Sequence, residues 1–294
     1  MATVTSFPDD AAVSVSRRSV ARSEFGDLER ISPIGRQRRR LIPGGVIGKG
    51  LGPLALVTLW CIGTSYGWIS PDLLPGPRTL WATLLDLITS GDLSDALTVS
   101  LQRVAVGFCF GFVIGVGLAL VSGLFRLGED LVDAPMQMAR TLPWAGLVPL
   151  LIIWLGIDET PKVALVAFAV TFPLYINTFA GIRNVDKTLI EAAQTLSFGR
   201  SALIFQVILP GALPNLLTGL RYSLGSAWLA LVFAETVNAQ GGLGYLIMHA
   251  REVYRVDIII LCLVIYALLG LGADLIVRLL ERVLLRWRQS FDGA

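Results

Sequence analysis

Six long apolar runs decide what this chain can fold into. They cover residues 51–69, 96–124, 131–155, 163–182, 213–234 and 258–280. A helix rises about 1.5 Å per residue, so roughly 20 residues cross a hydrocarbon core about 30 Å thick. Backbone N–H and C=O groups in lipid must be satisfied within their own segment, which makes each run a helix. With 54% hydrophobic residues in 294, the chain carries more apolar surface than a soluble core of this size would bury. The expected class is an all-α polytopic membrane protein with six transmembrane helices, embedded in a lipid bilayer.

The flanks orient these helices. Residues 1–50 are polar and basic, with Arg17, Arg18, Arg22, Arg30, Arg36, Arg38, Arg39 and Arg40 and no helical period. They read as a disordered cytoplasmic tail. Ser16-Arg17-Arg18 lacks the apolar region that should soon follow a twin-arginine export signal. The first run is too long for the core of a cleavable signal, so it stays as an anchor with the N-terminus inside. This topology puts Arg126, Arg183, Lys187, Arg200, Arg278, Arg282, Arg286 and Arg288 inside with the tail, and only Arg78, Lys162, Arg251 and Arg255 outside. The excess on one side agrees with the positive-inside rule. A transmembrane domain then occupies 51–287, 288–294 form a short inner tail, and both termini are cytoplasmic.

Several chemistries are disfavoured. A net charge of +2 points to no nucleic-acid partner. Cys61, Cys109 and Cys262 fall singly inside apolar runs without CxxC spacing and read as packing residues. One histidine, His249, argues against a histidine metal site or a Ser-His-Asp triad. Residues 43–50, PGGVIGKG, resemble a phosphate loop but lack its first glycine, its final Ser/Thr and a preceding strand. The chain is therefore expected to bind no ATP and no cofactor, and to be no enzyme.

Within the runs, Gly107, Gly111 and Gly115 recur at every fourth residue and form one helix face along which a second helix can approach closely. Pro143, Pro149 and Pro173 interrupt the third and fourth runs and free carbonyls that protein or water must satisfy. A charge at bilayer depth costs on the order of 3 kcal/mol on insertion scales, so Arg103, Arg140, Arg221 and Asp274 need partners or a role. Asp274 and Arg278, four residues apart, pair most simply with each other. The arginines could bond helix carbonyls, meet a second subunit or line a path for anions. Trp228 on the fifth run and Glu235 just beyond its end join them as path candidates. In the following loop, residues 234–254, Gly241, Gly242, Gly244 and Tyr245 suit a re-entrant gate or a contact for an external protein, against the plainer reading of a surface loop.

Between the fourth and fifth runs, residues 191–214 (EAAQTLSFGRSALIFQVILPGALP) are too polar to span. They read as two short helices, 189–196 and 200–207, with Ser197, Phe198 and Gly199 as the break. Such an elbow could be gripped by another protein or lie on the lipid surface.

Glu191-Ala192-Ala193 with the downstream Ile208-Leu209-Pro210 resembles the EAA loop (185–214) of ABC-importer permeases, except that Ser197 stands where that family usually has glycine, with Gly199 two residues later. Beyond this loop, 73–77, 100–108, 172–186, 220–236 and 278–287 are similar to the sulfonate, taurine and nitrate permeases, and most to the aliphatic sulfonate ones. The resemblance implies a type I importer permease fold with a cytoplasmic EAA coupling helix. It also implies a homodimer in the bacterial inner membrane, two ATPase subunits holding ATP and Mg²⁺, and an external substrate-binding protein. By the same resemblance Glu191 orients the docking helix, Ala192 and Ala193 allow close approach, and Leu209 with Pro210 fixes its exit. The implied cargo is a small organic sulfonate, with taurine or nitrate as the alternative. A secondary transporter or channel is the reading that would leave the EAA loop without a use.

Overall fold

The computed structural model describes residues 44–68, 70, 72–237 and 239–287. The expected disordered tail, 1–50, lies outside the described residues up to 43, and its last part, 44–50, is helical instead. The expected tail 288–294 also lies outside them. The chain divides between Val57 and Thr58 into two units. The first is helical from Gly44; the second holds the end of that helix and all later elements.

In chain order the helices are α1 (Gly44–Ser65), α2 (Pro77–Ser90), α3 (Asp92–Leu124), α4 (Arg126–Ala139), α5 (Trp144–Leu155), α6 (Thr160–Arg183), α7 (Lys187–Thr195), α8 (Arg200–Leu203), α9 (Leu209–Thr236), α10 (Leu243–Glu252) and α11 (Val256–Leu284). A single π turn, Ile204–Ile208, joins α8 to α9. Among the described residues there is no strand. Four helices are long and apolar enough to cross a membrane: α3, α6, the continuous Arg200–Thr236 and α11. A fifth crossing is counted when α4 and α5 are taken as one span bent by 104°.

The interruption expected at Pro143 is there, but it is a break between two helices rather than a kink within the span 131–155. Glu129, Asp130 and Asp133 make α4 too polar to span. Pro143 disfavours helical backbone at Leu142 and starts α5 afresh. The fifth span also differs from expectation. It does not begin at 213 and is not separated from the elbow, because the helix runs on from Arg200. Pro210 has no N–H and its ring crowds the carbonyl four residues back, and the π turn absorbs this: the Leu209 N–H bonds the Ile204 carbonyl, one residue further than in an α-helix. Two helices were not expected. In α2, Pro77 sits in the first turn and Gly91 closes the end at φ 88°, while Leu80, Thr83 and Leu87 form its buried face. Inside the 234–254 loop, α10 is the other.

The core is α6 held between α3 and α9. Small residues set how close the three helices come. A Cβ on Gly107 would lie 2.7 Å from Val166 Cβ, one on Gly111 2.5 Å from the Ala167 carbonyl, and one on Gly115 2.7 Å from that of Thr171. The expected glycine face is thus the α3–α6 seam, and the pairing order makes the two helices parallel. On the other side of α6, a Cβ on Gly219 would lie 2.9 Å from the Pro173 carbonyl, and one on Gly181 2.8 Å from Asn215 Cβ. Leu165, Val166, Val170, Leu174 and Tyr175 on α6 are buried by these contacts. Lipid is as apolar as these side chains, so close packing rather than exclusion of water supports the seam.

Candidate coupling elbow and buried arginine network

The polar stretch after α6 is shaped by its two caps. The Asp186 carboxylate accepts the Thr188 N–H at 2.9 Å and starts α7. Hydrogen bonding from Thr188, by its side chain first and by this N–H second, holds the Asp186 carboxyl below its ordinary pKa. At the other end the Ser197 N–H bonds the Gln194 carbonyl at 2.9 Å and the Phe198 N–H bonds the Ala193 carbonyl at 3.1 Å. This is a Schellman closure, which needs a left-handed residue just beyond the helix. Ser197 supplies it at φ 61°. The elbow has therefore not moved to Gly199, whose φ of −66° is open to any residue.

α7 runs from 187 to 195 rather than 189 to 196, and α8 is only four residues before the π turn replaces the rest of the expected 200–207 helix. Glu191 and Ala192 are exposed and Ala193 is buried. Leu189, Leu196 and Phe205 are exposed apolar side chains around the elbow, so it projects a mixed polar and apolar surface. Leu209 and Pro210 lie half-buried inside the continuous helix and do not end one.

The other candidates gather at the far end of the α3–α6–α9 bundle. Arg103 on α3 and Glu235 on α9 are 4% and 1% exposed, and their charges meet at 2.7 Å. Arg103 Nη1 also donates to the Gly241 carbonyl at 2.7 Å, while Nε and Nη2 hold the Glu159 carboxylate just before α6. Around Glu235 every contact is a donor: Ser100 Oγ at 2.8 Å, the Gly244 N–H at 2.8 Å and the Tyr266 hydroxyl at 3.1 Å. Ser100 in turn accepts the Leu243 N–H at 2.9 Å. Gly242, at φ 105°, and Gly244 have no room for a Cβ against Glu235. One buried ion pair thus ties α3, α9, α10 and α11 together with its polar atoms satisfied.

Glu159 is the open side of this network. Its side chain is 60% exposed and also bonds Lys162 Nζ at 3.0 Å. The Arg103 guanidinium holds its carboxyl well below the ordinary carboxylate range, at about 2, against the opposing effect of partial burial. Glu159, Arg103, Gln102, Gln240 and Gly241 line an open cavity of about 430 Å³. Glu159, Ser100 and Tyr266 were not legible as site residues: their partners lie 56, 135 and 31 positions away in the chain.

The remaining candidates are not brought to this network. Arg221 reaches from α9 to α11, donating to Glu281 at 2.7 Å and lying 3.0 Å from Asp274. Asp274 also takes the expected Arg278 bond at 2.6 Å. Arg140 caps α4 at the bend, exposed, rather than lying within a span. Trp228 packs edge-on to Tyr266 at 6.5 Å, its indole N–H buried without a hydrogen bond among the described residues. Tyr245 stacks on His249 along α10, one turn apart. The cysteines are free thiols.

Residues 111–286 match the family model described as binding-protein-dependent transport system inner membrane component. The chain is 44% identical over 239 residues to the putative aliphatic sulfonates transport permease protein SsuC of Escherichia coli (strain K12), covering 81% of this chain and 91% of that one. It is 42% identical to the protein of the same name from Bacillus subtilis (strain 168), over 82% of this chain and 87% of that one. To the taurine transport system permease protein TauC of E. coli (strain K12) it is 33% identical, over 81% and 88%. Among solved structures, a crystal structure of an amino acid ABC transporter with histidines superposes on 67% of this chain and 97% of its own, with TM-score 0.56 at 19% identity. That likeness is one of fold. The chain belongs to the binding-protein-dependent transport system inner membrane component family: it is a multi-pass membrane permease of the ABC-importer type, not an enzyme.

Proposed function

We propose that this chain is the permease of an importer that carries small organic sulfonates, alkanesulfonates in particular, into the cytoplasm. The observation that carries the cargo is the 44% identity across most of both chains to a permease named for aliphatic sulfonates, against 33% to the taurine one. Taurine is itself a sulfonate, so it is the second cargo to test.

In this reading two copies of the chain flank the path in the bacterial inner membrane, with six spans each and both termini in the cytoplasm. Two ATPase subunits, which hold ATP and Mg²⁺, seat the α7–α8 elbow, and an external binding protein delivers cargo at the α10 end. Closure of the ATPase pair moves the elbow as a rigid lever, and the continuous helix from Arg200 to Thr236 supports this. The α8 arm of the elbow is continuous with the span that ends beside the Arg103–Glu235 pair, and α7 joins it through the closed turn at Ser197. Nucleotide and cargo shift the balance of inward and outward states only by binding them unequally. The cavity beside Arg103 supports placing the path's outer mouth there, with Gly241, Gly242, Gly244 and Tyr245 as its gate. Trp228 and Arg221 on the α9 span and Arg140 at the bend between α4 and α5 are assigned to the path.

The test is uptake of labelled ethanesulfonate, taurine and nitrate in cells with and without an in-frame deletion of the gene. Ethanesulfonate uptake should fall at least tenfold and return with the wild-type chain. Glu191→Lys should insert normally, yet fail to restore uptake or transport-coupled ATP hydrolysis. Uptake by that variant at the wild-type rate would remove the elbow from coupling, and loss of nitrate uptake alone would overturn the cargo.

A further inference from the structure

A groove of about 680 Å³ opens beside the elbow, where the C-terminal ends of α3 and α6 meet the start of the continuous α9 span. Its floor is apolar, with Leu124, Ile182, Leu203 and Ile204, and four cations line it: Arg126, Arg183, Lys187 and Arg200. Arg183 is neutralised by Glu129. Arg126, Lys187 and Arg200 are exposed and make no ion pair among the described residues. Phe125 and Leu127, 61% and 76% exposed, are apolar neighbours at its mouth.

These observations place unpaired positive charge and apolar surface side by side at the level where three spans leave the hydrocarbon. A soluble anion would leave the apolar floor wet, and an acyl chain alone would leave the cations unanswered. An anionic phospholipid answers both, and basic pockets between spanning helices at a membrane surface are of the kind that hold such headgroups. We propose that this groove binds one anionic phospholipid, its phosphate set among Arg126, Lys187 and Arg200 and its acyl chains on the apolar floor. Because the floor is shared with α8 and the π turn, the lipid braces the root of the elbow. The inference needs only that the chain spans a membrane, and it stands whether or not the cargo is a sulfonate.

The experiment uses the permease purified together with its ATPase subunits, stripped of lipid and titrated with phosphatidylglycerol or phosphatidylethanolamine of matched acyl chains under native mass spectrometry. Phosphatidylglycerol should bind at least tenfold more tightly. The double variant Arg126→Gln/Arg200→Gln should lose about twenty-fivefold of that affinity, at about fivefold per cation, with phosphatidylethanolamine unchanged. Arg251→Gln/Arg286→Gln, away from the groove, should bind as wild type does. Equal affinity for the two lipids, an unaltered double variant, or displacement of lipid by inorganic phosphate would overturn the proposal. A photo-crosslinking residue at Ile204 provides a test that does not depend on the double variant folding: in the assembled transporter it should capture lipid. Capture of an ATPase subunit there would assign the groove to that partner and overturn the lipid site.

Discussion

At one end of the α3–α6–α9 bundle Arg103 and Glu235 are buried with each other, and their hydrogen-bonding atoms are matched one by one. At the other end Glu191, Arg126, Lys187 and Arg200 stand exposed without an ion pair among the described residues. The same helices connect both ends, so helix formation does not explain the difference. A charge sealed inside a membrane protein must be answered within the fold, because its desolvation would otherwise outweigh anything it supplies. A charge left open at the membrane surface needs no answer from this chain and is free for a partner or a lipid. The sealed end therefore concerns stability first, and the open end is where something outside the chain can be met.

The largest expected effect breaks the sealed end. Arg103→Ala leaves the Glu235 carboxylate buried and uncompensated and should destabilise the permease by about 3–5 kcal/mol, read as a lower thermal midpoint and loss of monodisperse protein. Glu235→Gln should also destabilise, by about 1–3 kcal/mol, for a geometric reason. The carboxylate receives only donors, so the amide NH₂ has to oppose one of them. Joint replacement, Arg103→Met with Glu235→Leu, removes both charges but strands the Gly241 carbonyl and the Gly244 N–H, so it should recover only part of the loss. If Arg103→Ala kept full stability and lost uptake alone, the comparison would fail and Arg103 would belong to the path.

A smaller effect sharpens the boundary between the two kinds of site. Glu159 shares the Arg103 guanidinium yet is largely open to solvent. Its carboxyl titrates at about 2 when folded, below the ordinary 4.5. A depressed carboxyl contributes stability that is fully present above its unfolded pKa and is lost as pH falls through the folded one. The wild type should therefore lose stability relative to Glu159→Gln between about pH 4.5 and pH 2, while the two should run parallel above pH 6. Exposure screens the pair, so the difference at neutral pH should be about 1 kcal/mol. A gap that stays constant across that range would show that the Glu159 charge contributes nothing.

How much of this was legible in the sequence depends on the reach of each interaction. Gly107, Gly111 and Gly115 declared a packing face because a helix repeats within the window they span, and Asp274–Arg278 declared a pair because four residues is one turn. Pro143 declared an interruption of the third run, but not that the new helix would start at 104° to the last, because the angle is set by packing beyond the proline. Arg103 and Glu235 each read as an isolated charge in an apolar run. Their separation of 132 residues places the answer in the tertiary fold, outside any local pattern.

The smallest prediction lies at the elbow, where sequence and structure together identify a strained residue. Ser197 holds φ 61°, a conformation that an ordinary L-residue adopts at about 1–2 kcal/mol. Ser197→Gly removes that strain but frees more of the unfolded chain, so the net gain should be about 0.5 kcal/mol. The local readout is hydrogen exchange at the Ser197 and Phe198 amides, which close α7 onto Gln194 and Ala193. Exchange should slow about twofold in Ser197→Gly, with uptake unchanged, because the glycine supports the same turn. Ser197→Val puts a β-branched side chain into the left-handed region and should speed exchange at both amides, with loss of coupled ATP hydrolysis if the elbow's shape is what the ATPase grips. Unaltered exchange in the valine variant would mean that the turn does not require the left-handed residue, and the serine would then be an ordinary replacement rather than a strained one.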